Sequence, residues 1–160
     1  MTTLKLYLLR HSDAAEPGAG GVARDFDRPL TRDGRRKARR VGSGLRRHDV
    51  HFDVILSSPA VRARQTAELV AARLRDAARV RFTDNLLIGG SRDRLYKELG
   101  QLPAKTRSVL LVGHEPFLGN LVSHLLTGRT GLPLRRPSAP ASCSARVCGP
   151  ALPHGRHPAA

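Results

Sequence analysis

The sequence predicts an α/β fold, a three-layer α/β/α sandwich whose mostly parallel sheet is covered by helices on both faces. Three observations predict it. Apolar runs too short to be helices alternate along the chain with longer segments of helical period, the order that builds a parallel sheet. One run, SVLLV at Ser108–Val112, reads as a strand buried on both faces. Cationic or imidazole side chains mark three places where such a run gives way to a helix, and open α/β sheets gather their ligands at those ends.

The elements follow in order. Leu4–Leu9 is a short run rich in Leu and Tyr and reads as the first strand; it ends in Arg10-His11 and a Gly/Asp-rich loop from Ser12 to Asp27. Arg32–Arg47 reads as an amphipathic helix with Ala38, Val41 and Leu45 inward and its arginines outward. Val54–Leu56 is the second strand. A helix from about Pro59 to Arg75 turns Ala63, Ala67, Val70 and Leu74 to one face, with Ser58 as its N-cap and Pro59 in the first turn. A weak strand at Val80–Phe82 precedes a helix at Ser91–Leu102, which presents Leu95 and Leu99. Ser108–Val112 then runs into Gly113-His114-Glu115-Pro116 and an apolar helix, Pro116–Leu126.

At 160 residues the chain suits one domain with a true core. No stretch approaches the roughly 20 apolar residues of a membrane span, and MTTLKLYLL reads as a strand rather than a signal peptide. The expected location is the cytoplasm. Cys143 and Cys148 both fall in the last twenty residues, so no disulfide framework holds the body together. The histidines offer no metal cluster: His48 and His51 flank a loop, and His154 and His157 lie in the tail. No metal and no cofactor is expected.

A formal charge of +15 suggests nucleic acid at first sight. The distribution argues otherwise. Arg outnumbers Lys by 24 to 4 and is spread along the predicted helices, and four Phe and two Tyr are few stacking platforms for single strands. The run Arg32–Arg47 reads as a solvated helix face, with acidic partners as the secondary reading.

The three marked junctions carry Arg10 and His11 after the first strand, Arg62 in the first turn after the second, and His114 after SVLLV. Taken singly, each has a plain structural explanation as loop, exposed helix residue or buried imidazole. Taken together, they place guanidiniums and imidazoles at one edge of a parallel sheet beside two helix N-termini, which favours a phosphate.

These residues resemble the histidine phosphatase superfamily, and within it the short, SixA-type phosphohistidine phosphatases. The resemblance rests on LLRHSDA at Leu8–Ala14, RPLTRDG at Arg28–Gly34, SSPAVRARQTAE at Ser57–Glu68 and LLVGHEP at Leu110–Pro116, in the family's order. It implies a phosphoglycerate-mutase-like fold and a nucleophilic His11, with Arg10, Arg62 and His114 lining the phosphate pocket. Ser12 stands where the wider superfamily often has glycine and joins the substrate-binding candidates. Arg28 does too, at the rim, its plainer reading being closure of the Asp27–Leu30 loop.

The insertion that carries a general-acid glutamate in the mutase-like branch has no room here. Asp13, Asp84 and Glu115 are the candidate acids, each with a plainer reading as turn, loop or helix-start carboxylate. Lack of a strong acid suits phosphoramidates, whose nitrogen takes its proton from solvent.

Residues 1–130 are therefore expected to form the phosphatase domain. Residues 131–160, dominated by Pro, Ala, Ser and Arg and without an acidic residue, read as a tail or linker rather than a core, either disordered or carrying a short last strand for which Ser142–Val147 is the one candidate. The expected function is a metal-independent phosphatase working through a phosphohistidine on a phosphohistidine-bearing protein. The alternatives are a small-molecule phosphomonoesterase of the same family and a non-catalytic basic protein that binds phosphate or nucleic acid.

Overall fold

A computed structural model of the chain describes residues 4–74, 79–128 and 145–147. Four parallel strands, β1 (Lys5–Arg10), β2 (Val54–Ser57), β3 (Arg79–Phe82) and β4 (Ser108–Gly113), form one sheet with a fifth, β5 (Ala145–Val147). The order across the sheet is β3-β2-β4-β1-β5. β5 pairs antiparallel with β1 and falls within the strand expected at Ser142–Val147. The other residues of that expected tail, with Cys143, Cys148, His154 and His157, lie outside the described residues.

Among the described residues four helices cover the sheet: α1 (Arg32–Arg47), α2 (Val61–Ala71), α3 (Arg92–Gly100) and α4 (Phe117–Thr127). Side chains alternate across a strand, and the two faces build two cores. Leu6, Leu8, Val54, Leu56, Val109 and Leu111 pack with Leu95 and Leu99 of α3 and Leu118, Leu121 and Val122 of α4. Tyr7, Leu9, Ile55, Leu110 and Val112 pack with Ala63, Ala67 and Val70 of α2, and Val41 and Leu45 of α1 lie against them. The sandwich thus has α1 and α2 on one side, α3 and α4 on the other. No helix among the described residues is long and apolar enough to cross a membrane.

Helix starts follow their chemistry. Thr31 caps α1 by accepting the Gly34 N–H, and Ser91 caps α3 by accepting the Arg94 N–H. The expected start of α2 is corrected. The helix begins at Val61 after an Ala60 cap without a side-chain cap bond, and the Ser58 hydroxyl accepts the Ala60 N–H, ahead of the first turn, while facing His114. α2 also ends at Ala71, short of the expected Arg75, and the chain turns through Leu74.

Behind β1 the loop closes on itself as a short clasp. Ala14 bridges Leu30, the Thr31 N–H donates to Asp13 O and the Ala15 N–H to Pro29 O. Gly34 is required there: a Cβ would stand 2.1 Å from Asp13 O. Gln65 of α2 accepts the Leu30 N–H and ties the clasp to the sheet's helix layer.

Candidate active site

The β-ladder itself assembles the site. Arg10 pairs with Gly113 at the carboxyl end of β1 and β4, and the His11 N–H continues the ladder to Gly113 O at 3.0 Å. On the other side of β4 the Ser58 N–H donates to Val112 O at 2.9 Å. His11, His114 and Ser58 therefore stand at adjacent strand ends. The two imidazole rings lie 5.1 Å apart, and α2 carries Arg62 in beside them with a side chain only 4 % exposed.

His11 has a defined tautomer. Its Nδ1 lies 2.7 Å from Ser12 O, and a carbonyl only accepts, so Nδ1 carries the hydrogen and Nε2 keeps its lone pair. That lone pair receives the Nε–H of Arg62 at 3.3 Å. Burial holds the His11 pKa down at about 4, against the raising effect of the Ser12 bond, and the charges of Arg62, Arg10 and Arg28 add to the lowering. The ring is neutral at neutral pH.

His114 is 1 % exposed. Its Nε2 meets the Ser58 hydroxyl at 2.8 Å, and its Nδ1 is a buried polar atom with no partner among the described residues. Burial first, then Arg62, His11 and Arg10, lower its pKa to about 4. Two neutral imidazoles and a buried guanidinium thus share one edge of the sheet.

Three further residues complete the arrangement. Thr66, one turn beyond Arg62 on α2, donates its hydroxyl to Arg62 O at 2.7 Å and accepts the Ser12 N–H at 3.1 Å, so it anchors the loop behind His11. Ser58 orients His114. Asp25, in the 3-10 turn Asp25–Asp27, receives Arg62 twice, through its carbonyl at 2.6 Å and its carboxylate at 2.8 Å. None of the three was singled out for the site from the sequence. Thr66 was legible in principle, four residues beyond Arg62 on the same helix face; Asp25 sits in a loop without periodicity.

The remaining candidates take other places. Arg10 is exposed at the end of β1. Ser12 contributes its backbone N–H and carbonyl. Arg28 closes the loop, donating from Nε to Ala15 O at 2.6 Å and from a terminal nitrogen to Asp25 Oδ1 at 2.7 Å; it reaches the pocket through Asp25. Of the acids, Asp13 pairs with Lys37, Asp84 starts a 3-10 turn after β3 and is exposed, and Glu115 accepts the Gly119 N–H of α4. None of the three hydrogen-bonds His11, Arg62 or His114.

Comparison with known proteins gives the family in which this arrangement of histidines and arginine on a parallel sheet occurs. The model of the histidine phosphatase superfamily (branch 1) matches residues 6–87. Phosphohistidine phosphatase SixA of Escherichia coli K12 is 32 % identical over 128 residues, covering 79 % of this chain and 77 % of that protein. A solved structure of the protein histidine phosphatase SixA complexed with tungstate matches with a TM-score of 0.69 at 31 % identity, over 76 % of each chain. A phosphoglycerate mutase from Plasmodium falciparum shares the fold, with a TM-score of 0.58 at 21 % identity over 79 % of this chain and 70 % of that one. The chain belongs to the histidine phosphatase superfamily, branch 1, and within it to the SixA type.

Proposed function

We propose that this phosphatase works without a metal, through a phosphoryl group carried on His11, and that its substrate is a phosphohistidine on a protein partner. The observation that carries the mechanism is the His11 tautomer: Nδ1–H fixed on Ser12 O leaves Nε2 with a lone pair beside a buried guanidinium. In the first step Nε2 attacks phosphorus in line and the bond to the leaving group breaks. In the second, water attacks phosphorus and the P–Nε2 bond breaks, returning neutral His11. Phosphoryl transfer asks the protein chiefly for position and charge. Arg62 and Arg10 neutralise the equatorial oxygens, and His114 donates from Nδ1 when the Ser58 hydroxyl donates to its Nε2.

Two observations support the substrate. The three acids expected from the sequence are paired elsewhere or exposed, and none hydrogen-bonds His11, which suits a leaving nitrogen that needs no strong donor. The arginines from Arg32 to Arg47 are all exposed and fall on one arc of α1, roughly 140° wide at 3.6 residues per turn. That helix begins at the clasp behind His11, so a basic face for an acidic protein adjoins the pocket.

The test is a trapping experiment. Brief reaction with a phosphoramidate, quenched in alkali, is expected to yield an acid-labile phosphoryl-enzyme that maps to His11. Turnover is expected to persist in a chelator and to vanish in His11→Ala. Activity that survives His11→Ala overturns the mechanism. Failure to dephosphorylate any phosphohistidine peptide while hydrolysing small esters overturns the substrate and leaves the mechanism standing.

A further inference from the structure

We infer that Asp25 sets the leaving-group preference of the pocket: its carboxylate, fixed at the mouth by Arg62 and Arg28, favours phosphoramidates with a cationic leaving nitrogen over esters that depart as anions. This rests on the phosphohistidine reading above and deepens it.

The geometry places the charge. Arg62 has five N–H donors; one reaches His11 Nε2 and two hold Asp25. The attacking nitrogen and the carboxylate therefore sit on one rigid guanidinium, within about 8 Å of each other given the fixed fork of that group. Arg62 is 4 % exposed at its side chain and Asp25 is 53 % exposed, so Asp25 lies on the solvent side. In-line attack by Nε2 puts the leaving group on the face of phosphorus opposite His11, and a leaving group borne by a protein must enter from solvent, the side on which Asp25 lies.

The carboxylate is held as an anion. Oδ2 accepts from Arg62 and Oδ1 from Arg28, whose Nε is itself tied to Ala15 O. The Arg28 bond lowers the Asp25 pKa most, with Arg62 acting in the same direction against desolvation. Asp25 has no proton to give, so it does not serve as the missing acid. What it offers is negative charge where the leaving group emerges.

The chemistry then separates two substrate classes. In phosphoramidate at neutral pH, and in phosphohistidine in its ring-protonated form, the leaving side carries a proton and positive charge. As the P–N bond breaks its electron pair stays on nitrogen, and ammonia or neutral imidazole departs with no further proton needed. Part of the positive charge persists in the transition state, and Asp25 attracts it. In an aryl ester the P–O pair stays on oxygen, negative charge grows toward phenolate, and Asp25 repels it.

The experiment compares kcat/KM for phosphoramidate and for para-nitrophenyl phosphate, two small probes that need no docking surface. Asp25→Asn is expected to lower the phosphoramidate-to-ester ratio at least about tenfold, the scale of one charge removed at such a distance in a partly solvated site. Asp25→Ser is expected to match it, and Asp25→Glu to restore the ratio. A merely structural role loosens Arg62 for both substrates alike. An unchanged ratio in Asp25→Asn and Asp25→Ser, with the wild type active on phosphoramidate, overturns the inference alone. A wild type active on the ester but inert to phosphoramidate overturns the substrate reading and this inference together.

Discussion

Arg62 donates its Nε–H to the Nε2 lone pair of His11 across 3.3 Å, so one buried guanidinium holds the ring nitrogen proposed above to attack phosphorus. Arg62→Ala is expected to lower kcat for an aryl phosphate at least about a hundredfold, the scale of one lost transition-state donor. Arg62→Lys is expected to recover only part of this, because an ammonium supplies charge without the planar fork that spans His11 and Asp25. Steady-state kinetics of the two variants check it; full recovery by lysine would show that charge alone suffices.

Both imidazoles are expected to titrate near pH 4 instead of 6.5, because burial and neighbouring arginines disfavour their charged forms. Between about 4 and 6.5 the unfolded chain binds protons that the folded one refuses, so this stabilisation is full above 6.5 and is lost as pH falls toward 4. Ring-proton NMR titration, with denaturant midpoints from pH 7 to pH 4, measures both. Midpoints near 6.5 for His11 and His114 would contradict the buried neutral pair.

Gly34→Ala is expected to destabilise the protein by about 2 kcal/mol or more, as overpacking against rigid backbone does. The obstacle is a carbonyl, Asp13 O, at 2.1 Å from the new Cβ, and a flexible side chain is not there to yield. Since Asp13 also receives the Thr31 N–H, the clasp behind His11 must shift as well. Chemical denaturation reads the first effect, and kcat the second.

Ser58→Ala is expected to lower kcat roughly tenfold while changing KM little, since on the proposed mechanism it removes one hydrogen bond that orients His114 toward the transition state. The His114 Nε2 would lose its partner at 2.8 Å. Nitrogen-15 shifts of the His114 ring are expected to move toward a mixture of tautomers. An unaltered ring spectrum would assign the orientation of His114 to its packing instead.

The fold was legible because period and burial agree along the strands. Leu6 and Leu8 face one core while Tyr7 and Leu9 face the other, which is why β1 reads as a continuous apolar run. The strand-end residues Arg10, His11 and His114 were legible for the same reason: a parallel sheet brings its carboxyl ends to one edge. Arg62 was found because α2 starts at that edge. Asp25 was not. Its position depends on how a Gly-rich loop folds back onto α2, and no periodicity encodes that path. A charge argument was available, since a guanidinium buried like Arg62 demands a carboxylate, but the sequence offers several carboxylates and does not say which returns. Ser58 was read for its helix-capping chemistry, and its bond to His114 emerges only once β2 and β4 are neighbours.

The register of β1 against β4, Arg10 opposite Gly113, makes the spacing of the two histidines a property of the backbone lattice. A slip by one residue would turn His11 to the other face of the sheet and send Leu9 to the edge. Chain inserted after β3 or lengthened beyond α1 leaves that spacing untouched, because neither segment contributes a rung between His11 and His114. Such a scaffold lets its surroundings change freely, and with them the molecules admitted to the pocket, while the pair at its centre stays at one separation.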